Sequence, residues 1–156
     1  MMTGAAAVDA YVRRETRISM AINATLALLI FLAVFGLHRP VESWGVGGWV
    51  FDFLPQSFMI ALMSVLIPGL LARQKLKKGA LDPVPHGSIL PGNLLARALV
   101  LAGASAGIGT ALVAGLVWLT GIETINPIPA LLFKVIYGAI LALIVTPPAL
   151  RAALAA

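Results

Sequence analysis

Four long apolar runs determine what this chain of 156 residues can fold into. They cover residues 18–37, 49–71, 94–119 and 128–150. A helix needs about 20 apolar residues to cross a hydrocarbon core of ~30 Å, and each run reaches that length. The chain is 60% hydrophobic and 11% charged, whereas a typical soluble domain carries about 25% charged residues. The sequence therefore predicts an all-α, polytopic membrane protein with four transmembrane helices in an up-down bundle.

Prolines and one asparagine mark expected helix ends. Pro68 is expected to kink or end the second helix, and Pro147-Pro148 to end the fourth, because proline lacks a backbone N–H. Asn93 precedes the third run and is a predicted N-cap. The first ten residues are small and mostly uncharged, so we expect residues 1–10 to fray.

Basic residues collect at one set of connections, which predicts the orientation in the membrane. They are Arg13, Arg14, Arg17, Arg73, Lys75, Lys77, Lys78, Arg97 and Arg151. The other two loops hold Arg39 and no lysine. We therefore expect a multi-pass protein of the bacterial inner membrane. By the positive-inside rule, both of its termini and the linker 79–92 face the cytoplasm. The net charge of +5 comes from basic residues that flank the apolar runs, where they set the topology and contact lipid headgroups. No nucleic-acid partner is expected.

One integral membrane domain, residues 1–156, is predicted, and its two halves are alike in their layout. The hairpins would be residues 13–78 and 93–156, joined by the linker 79–92. Pro68 corresponds to Pro147 and Phe58 to Tyr137 at a constant offset. A duplication would make a parallel repeat, but any two transmembrane hairpins share such features. The first run is longer than the 7–15 apolar residues of a signal peptide and has no cleavage motif after it, so a retained helix is expected.

Each half resembles the short two-helix hairpin found in small bacterial inner-membrane proteins. The matching features of the first half are Asn23, Trp49, Pro68 and Arg73. The second half has neither a tryptophan after its turn nor a mid-helix asparagine. The resemblance implies a tandem hairpin fold in the membrane, and it implies no activity because none is assigned to that group.

A row of small residues runs along the third predicted helix. Gly103, Gly107, Ala111 and Gly115 recur at every fourth position and would share one face. In lipid such a row lets a second helix approach closely, so that dispersion contacts can form. We expect the row to pack against the chain's own bundle. The alternative is a contact with a second copy or with another membrane subunit.

Polar groups inside the spans are costly in hydrocarbon and are therefore the best candidates for function. Polar residues in the spans include Asn23, Thr25, Asp52, Gln56, Ser57, Ser64, Ser105, Thr110, Lys134 and Tyr137. The candidates singled out among them are Asn23, Asp52, Gln56, Ser57, Lys134 and Tyr137. Asp52 and Lys134 both lie toward the outer ends of their helices, and we hypothesise that they form an ion pair between the second and fourth helices. The alternative is that Asp52 is hydrated at the surface while Lys134 snorkels alone. Asn23 is expected to form hydrogen bonds between helices.

Interfacial positions are predicted for three further side chains. Trp44 and Trp49 flank the start of the second run, where an apolar ring with one N–H suits the boundary between lipid and water. Arg97 lies near the start of the third run and is expected to snorkel.

Several chemistries find no support in the sequence. The chain has no cysteine, which excludes disulfides and thiolate ligands. His38 and His86 are predicted on opposite sides of the membrane, so they cannot share a metal. No catalytic triad, paired carboxylates or phosphate-binding loop is recognisable. We therefore expect no enzymatic activity, no metal and no cofactor.

The sequence favours a small non-catalytic scaffold or accessory subunit that acts through helix–helix contacts. Its expected partners are the lipid bilayer and either a second copy, as a homo-oligomer, or another membrane subunit. The alternative is a small transporter or permease component that works as an oligomer. It would need a water-accessible path along the intramembrane polar residues.

Overall fold

The structure is a computed structural model that describes residues 4–85 and 89–155. These residues form four α-helices and two short strands. The helices are α1 (Gly4–Val34), α2 (Phe53–Lys77), α3 (Leu94–Thr120) and α4 (Pro127–Leu154), and the strands are β1 (Val41–Glu42) and β2 (Thr124–Ile125). All four helices are long and apolar enough to cross a membrane. The predicted all-α fold with four membrane-spanning helices is confirmed, and the chain is an integral membrane protein.

α1 begins earlier than the sequence predicted. It is helical from Gly4, so the expectation that residues 1–10 fray is wrong for the residues that the structure describes. Val8, Tyr11 and Val12 are buried in a cluster with Ala72 and Leu154 of α2 and α4. This packing holds the first turns of α1 in place, although their composition alone gives little reason for helix formation.

The prolines inside the spans do not end their helices. α2 continues through Pro68 to Lys77, and α4 continues through Pro147 and Pro148 to Leu154. The helix end predicted at Pro147-Pro148 is therefore wrong, and so is an end at Pro68, where the alternative of a kink stays a prediction. Each proline removes one backbone hydrogen bond. Gly69, Thr146 and Ala149, which flank these prolines, are buried, and membrane helices tolerate proline when neighbouring helices support them.

The predicted cap of α3 is confirmed. The side chain of Asn93 accepts hydrogen bonds from the backbone N–H groups of Leu95, at 2.9 Å, and Ala96, at 3.3 Å. At the other end of α3, Gly121 adopts a positive φ of 66°. That left-handed conformation closes the helix and favours glycine.

The two helices of each predicted hairpin, α1 with α2 and α3 with α4, contact each other little. Instead α1 packs along α4, α2 packs along α3, and α2 contacts α4 at the centre. The two predicted hairpins therefore interlock, because each helix packs mainly on a helix of the other half. The arrangement leaves a groove between α1 and α2 and another between α3 and α4. The duplication of the halves stays a prediction.

The bundle has two distinct ends. We call the end with β1 and β2 the loop end, and the end with the chain termini the terminal end. At the loop end β1 pairs antiparallel with β2, Val41 opposite Ile125 and Glu42 opposite Thr124, which ties the two short connections together. Large apolar side chains cover the outer surface between the ends, for example Ile22, Leu29, Ile67, Leu99, Ile108, Leu132 and Ile144. Such a surface suits hydrocarbon as the solvent.

Arg97 organises the terminal end and does not snorkel. Its side chain is 1% exposed, and its guanidinium donates to the carbonyl oxygens of Pro91 (3.0 Å), Gly92 (3.5 Å) and Ala149 (3.4 Å). The expectation of a snorkelling side chain is therefore wrong. A guanidinium has five N–H donors, so one buried arginine can fasten the linker to α4.

Replacing Arg97 with methionine is expected to loosen the linker, because Pro91 and Ala149 lose the guanidinium as a donor while the side chain keeps much of its volume. Gly92 keeps its hydrogen bond from Arg73, at 2.7 Å. Limited proteolysis of the protein in detergent should cut segment 79–92 severalfold faster than in the wild type. Arg151→Met is the control, since Arg151 is exposed and should leave the rate unchanged. Equal rates for Arg97→Met and the wild type would contradict this role.

Candidate functional site

Three predicted polar residues meet near the loop end. Lys134 of α4 forms an ion pair with Oδ2 of Asp52, and its ammonium donates to Oε1 of Gln56 at 2.9 Å. The amide nitrogen of Gln56 in turn donates to the backbone carbonyl of Lys134 at 3.4 Å. We call Asp52, Gln56 and Lys134 the loop-end cluster. The structure thus brings together the two charges that the sequence analysis paired.

Helix geometry explains why these side chains meet. Asp52 directly precedes α2 and Gln56 lies four residues later, so both point from one face of that helix. Lys134 lies about 10 Å along α4 from its first residue, and its long stem reaches back toward the loop end. The ammonium lies 4.4 Å from the ring centroid of Phe53 and 5.6 Å from that of Phe35. The two rings add cation–π contacts to the ion pair.

The two partners of the ion pair differ in exposure. The side chain of Lys134 is 1% exposed, whereas that of Asp52 is 21% exposed. Burial of a charge costs several kcal/mol, and here the carboxylate, the amide of Gln56 and the aromatic rings compensate for it. Oδ1 of Asp52 accepts no hydrogen bond from the residues that the structure describes. The accessible charge of the loop-end cluster is therefore the carboxylate.

A second polar contact joins α2 and α4 deeper in the bundle. Ser57 Oγ and Tyr137 Oη lie 2.5 Å apart and share a hydrogen bond in which either group can donate. The Tyr137 ring packs edge-on against Phe53, with centroids 4.8 Å apart. Gly109 of α3 faces this pair, and a Cβ at that position would overlap Tyr137 Oη and lie 3.1 Å from Ser57 Oγ. Gly109 therefore provides the space in which the pair forms.

Four polar side chains from three helices meet near the middle of the bundle. Ser19 and Asn23 belong to α1, Ser64 to α2 and Thr146 to α4. Asn23 Nδ2 donates to the Ser19 carbonyl at 2.8 Å and to Ser64 Oγ at 3.1 Å. Ser19 Oγ lies 3.0 Å from Ser64 Oγ and accepts from Thr146 at 3.1 Å. Asn23 therefore connects helices, as the sequence analysis expected.

Two members of this central cluster were missed by the sequence analysis. Ser19 precedes Asn23 by one helical turn, and that spacing places both side chains on one face. It is the signal that could have identified Ser19. No comparable local signal exists for Thr146, because it joins the cluster only through the packing of α1 against α4.

The small-residue row of α3 does not pack inside the bundle. Gly103, Gly107 and Ala111 are exposed, and Gly115 is half-buried. Among the described residues, a Cβ added at any of the three glycines would meet nothing within 4 Å. The expectation of packing against the chain's own bundle is therefore wrong for this row. Its use in a contact outside the chain stays a prediction.

A second row of small residues on α3 packs inside the bundle instead. Ala98, Ala102, Ala106 and Gly109 are buried on the opposite side of α3. Ala98 and Ala102 lie in a cluster with Ala61 and Val65 of α2. These small side chains allow α3 to lie close to α2, in the way that was predicted for the other row.

The two tryptophans of the long loop have different environments. Trp44 is exposed, whereas Trp49 is buried and packs edge-on against Phe53 and Phe133 at centroid distances of 4.8 and 5.2 Å. The expectation of an interfacial anchor is therefore wrong for Trp49, which belongs to the aromatic core of the loop end. His86 lies outside the described residues, within which no group of three metal-ligating side chains occurs.

The two lateral grooves differ in chemistry. The groove between α3 and α4 has a volume of about 530 Å³, and nearly all of its lining is apolar, including Leu112, Ile140 and Ile144. The groove between α1 and α2 has a volume of about 350 Å³. The loop-end cluster lies at one end of it, and Asn23 lines it farther along. Ser105 and Tyr137 are the polar residues in the lining of the first groove, whereas the second groove is lined by the charged residues Asp52 and Lys134.

The structure therefore separates two features that could carry function. One is the outward row of small residues on α3, and the other is the α1–α2 groove with its polar end. Comparisons of the chain with protein-family models, with curated proteins and with solved structures find no match.

Proposed function

We propose that this protein is a non-catalytic scaffold or accessory subunit of a membrane assembly and that it acts through helix–helix contacts on α3. The outward row of Gly103, Gly107 and Ala111 carries the proposal, since all three are exposed and none of the described residues lies within 4 Å of a Cβ added at Gly103 or Gly107. Association in lipid depends on close packing, and a row of small residues lets two backbones approach. The partner is a second copy of the chain or another membrane subunit.

The buried charge supports a structural role for the core. Lys134 is neutralised by Asp52 and hydrogen-bonded by Gln56 within the chain. Such a pair fixes how α2 and α4 meet. We further place the protein in a bacterial inner membrane with both termini in the cytoplasm, on the basis of its charge asymmetry.

Gly107→Leu tests the proposal because it places a large side chain on the row without touching the bundle. Self-association of the labelled protein should be measured in liposomes by energy transfer, and partner capture by quantitative pull-down from native membranes. We expect at least one of these contacts to weaken about tenfold, because the leucine separates the two backbones. Ala21→Leu is the matched control, since Ala21 is exposed on α1 and should leave both contacts unchanged.

Two outcomes would overturn the proposal. One is a wild-type chain that forms neither oligomers in liposomes nor stoichiometric complexes in native membranes. The other is a Gly107→Leu variant that associates as strongly as the wild type, because a contact through the row cannot accommodate that side chain.

A small transporter or permease component, working as an oligomer, is the second candidate. The observation that favours it is the polar end of the α1–α2 groove, where Asp52, Gln56 and Lys134 meet. A transport path must admit water along the span, so a cysteine at Met63 should react with a water-soluble maleimide in intact cells. A scaffold should leave that cysteine unlabelled, because Met63 would then face lipid.

A further inference from the structure

The α1–α2 groove has the shape of a site for one hydrocarbon chain. Its walls include Leu26 and Ile30 from α1 and Met59 and Met63 from α2. From Asp52 to Met63 it extends about 16 Å along α2, at the rise of an α-helix. Its volume of about 350 Å³ lies at the low end of the range for ligand pockets, roughly 300–1,000 Å³. One chain fits this space better than the two chains of a membrane phospholipid.

The walls of the groove suit a flexible, apolar ligand. Leu26, Ile30, Met59 and Met63 remain exposed at its surface, so a chain can enter sideways from the bilayer. Methionine side chains are unbranched and polarisable, and they adapt to the shape of what they contact. The walls therefore select for hydrocarbon without demanding one rigid shape.

The polar end of the groove determines which head group fits. The Lys134 ammonium is covered by Asp52, Gln56 and the Phe53 ring. The Asp52 carboxylate stays partly exposed, and its Oδ1 is free of hydrogen bonds from the described residues. Lys134 also lines this end of the groove, but its side chain is 1% exposed and that of Asp52 is 21% exposed, so a ligand head meets the carboxylate first.

From this geometry we propose that the groove binds a single-chain amphiphile with a primary ammonium head, seated on Oδ1 of Asp52. The ammonium has three N–H donors, and a charge-assisted hydrogen bond to a carboxylate is roughly twice as strong as a neutral one. An anionic head would face the exposed carboxylate and be repelled. A neutral alcohol can donate to Oδ1 but gains no charge attraction. This site is separate from the row on α3, so either proposal can fail alone.

The binding test uses the full chain in phosphatidylcholine nanodiscs and radiolabelled dodecylamine, with empty nanodiscs as the blank. We expect saturable binding of one dodecylamine per chain. Dodecanol and dodecyl sulfate should each bind at least tenfold more weakly. Equal binding of the three probes would overturn the proposal, and so would efficient displacement of dodecylamine by phosphatidylethanolamine, which has the ammonium but two chains.

Met63→Trp tests the location of the site, because the larger side chain fills the part of the groove farthest along α2 from Asp52. Dodecylamine binding should weaken at least tenfold. Leu112→Trp is the matched control, since Leu112 lines the apolar groove between α3 and α4 and should leave binding unchanged. An unchanged affinity in Met63→Trp, or an equal loss in both variants, would overturn the location.

The double variant Asp52→Asn with Lys134→Met tests the head-group contact without leaving a buried lysine unpaired. Dodecylamine should then bind no more tightly than dodecanol, whereas dodecanol binding should stay near its wild-type value. Helix content by circular dichroism establishes that the variant is folded. Retained preference for the amine in a folded double variant would overturn the role of Asp52.

Discussion

Asp52→Asn is expected to lower the free energy of unfolding by about 3–5 kcal/mol, the typical cost of removing one partner from a buried ion pair. The change leaves the ammonium of Lys134, which is 1% exposed, without its counter-charge. Gln56 and the Phe53 ring cannot supply a full negative charge in return. Unfolding in mixed micelles by increasing amounts of a denaturing detergent, followed by circular dichroism, measures the loss.

The double variant Asp52→Asn with Lys134→Met should recover most of that stability, because an apolar side chain of similar length fills the same space without a charge to desolvate. The effects of the two single changes should therefore be strongly non-additive in a double-mutant cycle. Additive effects would contradict the energetic role assigned to the pair.

An exposed ion pair provides the control for this cycle. Arg151 lies 3.3 Å from Asp9, and the two side chains are 60% and 51% exposed. Pairs of this kind contribute about 0–1 kcal/mol, so Arg151→Ala should change stability little. A loss in Arg151→Ala as large as that in Asp52→Asn would show that burial is not the cause.

Gly109→Ala is the second change with a large expected effect, a destabilisation of about 1–3 kcal/mol, as for overpacked core sites. In a helix, alanine is intrinsically more favourable than glycine by about 1 kcal/mol, so helix propensity alone would make this change stabilising. The added methyl would overlap Tyr137 Oη. Tyr137 cannot move away without giving up its hydrogen bond to Ser57 and its contact with Phe53. The same detergent titration measures the effect.

Gly107→Ala is the matched control on the same helix. No atom of the described part of the chain lies within 4 Å of its added Cβ, so the variant should be as stable as the wild type or more stable by up to about 1 kcal/mol. In a Tyr137→Phe background Gly109→Ala should cost less, because the overlapping oxygen is gone. If Gly109→Ala stabilised the protein as Gly107→Ala does, the close approach of Tyr137 would be disproved.

The membrane spans could be predicted from sequence because they depend on local properties. A bilayer leaves no water for backbone groups, so each long apolar run must satisfy its hydrogen bonds as a helix. The cap at Asn93 is equally local, since its acceptor reaches N–H groups two and three residues ahead. The contact between Asp52 and Lys134 was proposed because two charges at similar depth in hydrocarbon lower their cost by meeting.

The packing face of α3 could not be predicted, because the helix carries rows of small residues on two different faces. Gly103, Gly107 and Ala111 recur at every fourth position, and so do Ala98, Ala102 and Ala106. Only the second packs against α2. Small size allows a close approach on either face, so the residues of the opposing helix decide which face is used.

The sequence by itself determined that hydrocarbon is the solvent, how many helices cross it and roughly where each one lies. The tertiary structure decided that α1 pairs with α4 and α2 with α3, that helices continue through Pro68 and Pro147, and that one groove ends at Asp52. The physical reason is that crossing a bilayer depends on the length and polarity of one segment. Packing in lipid depends on dispersion contacts between two matching surfaces, and those exist only once the helices have met.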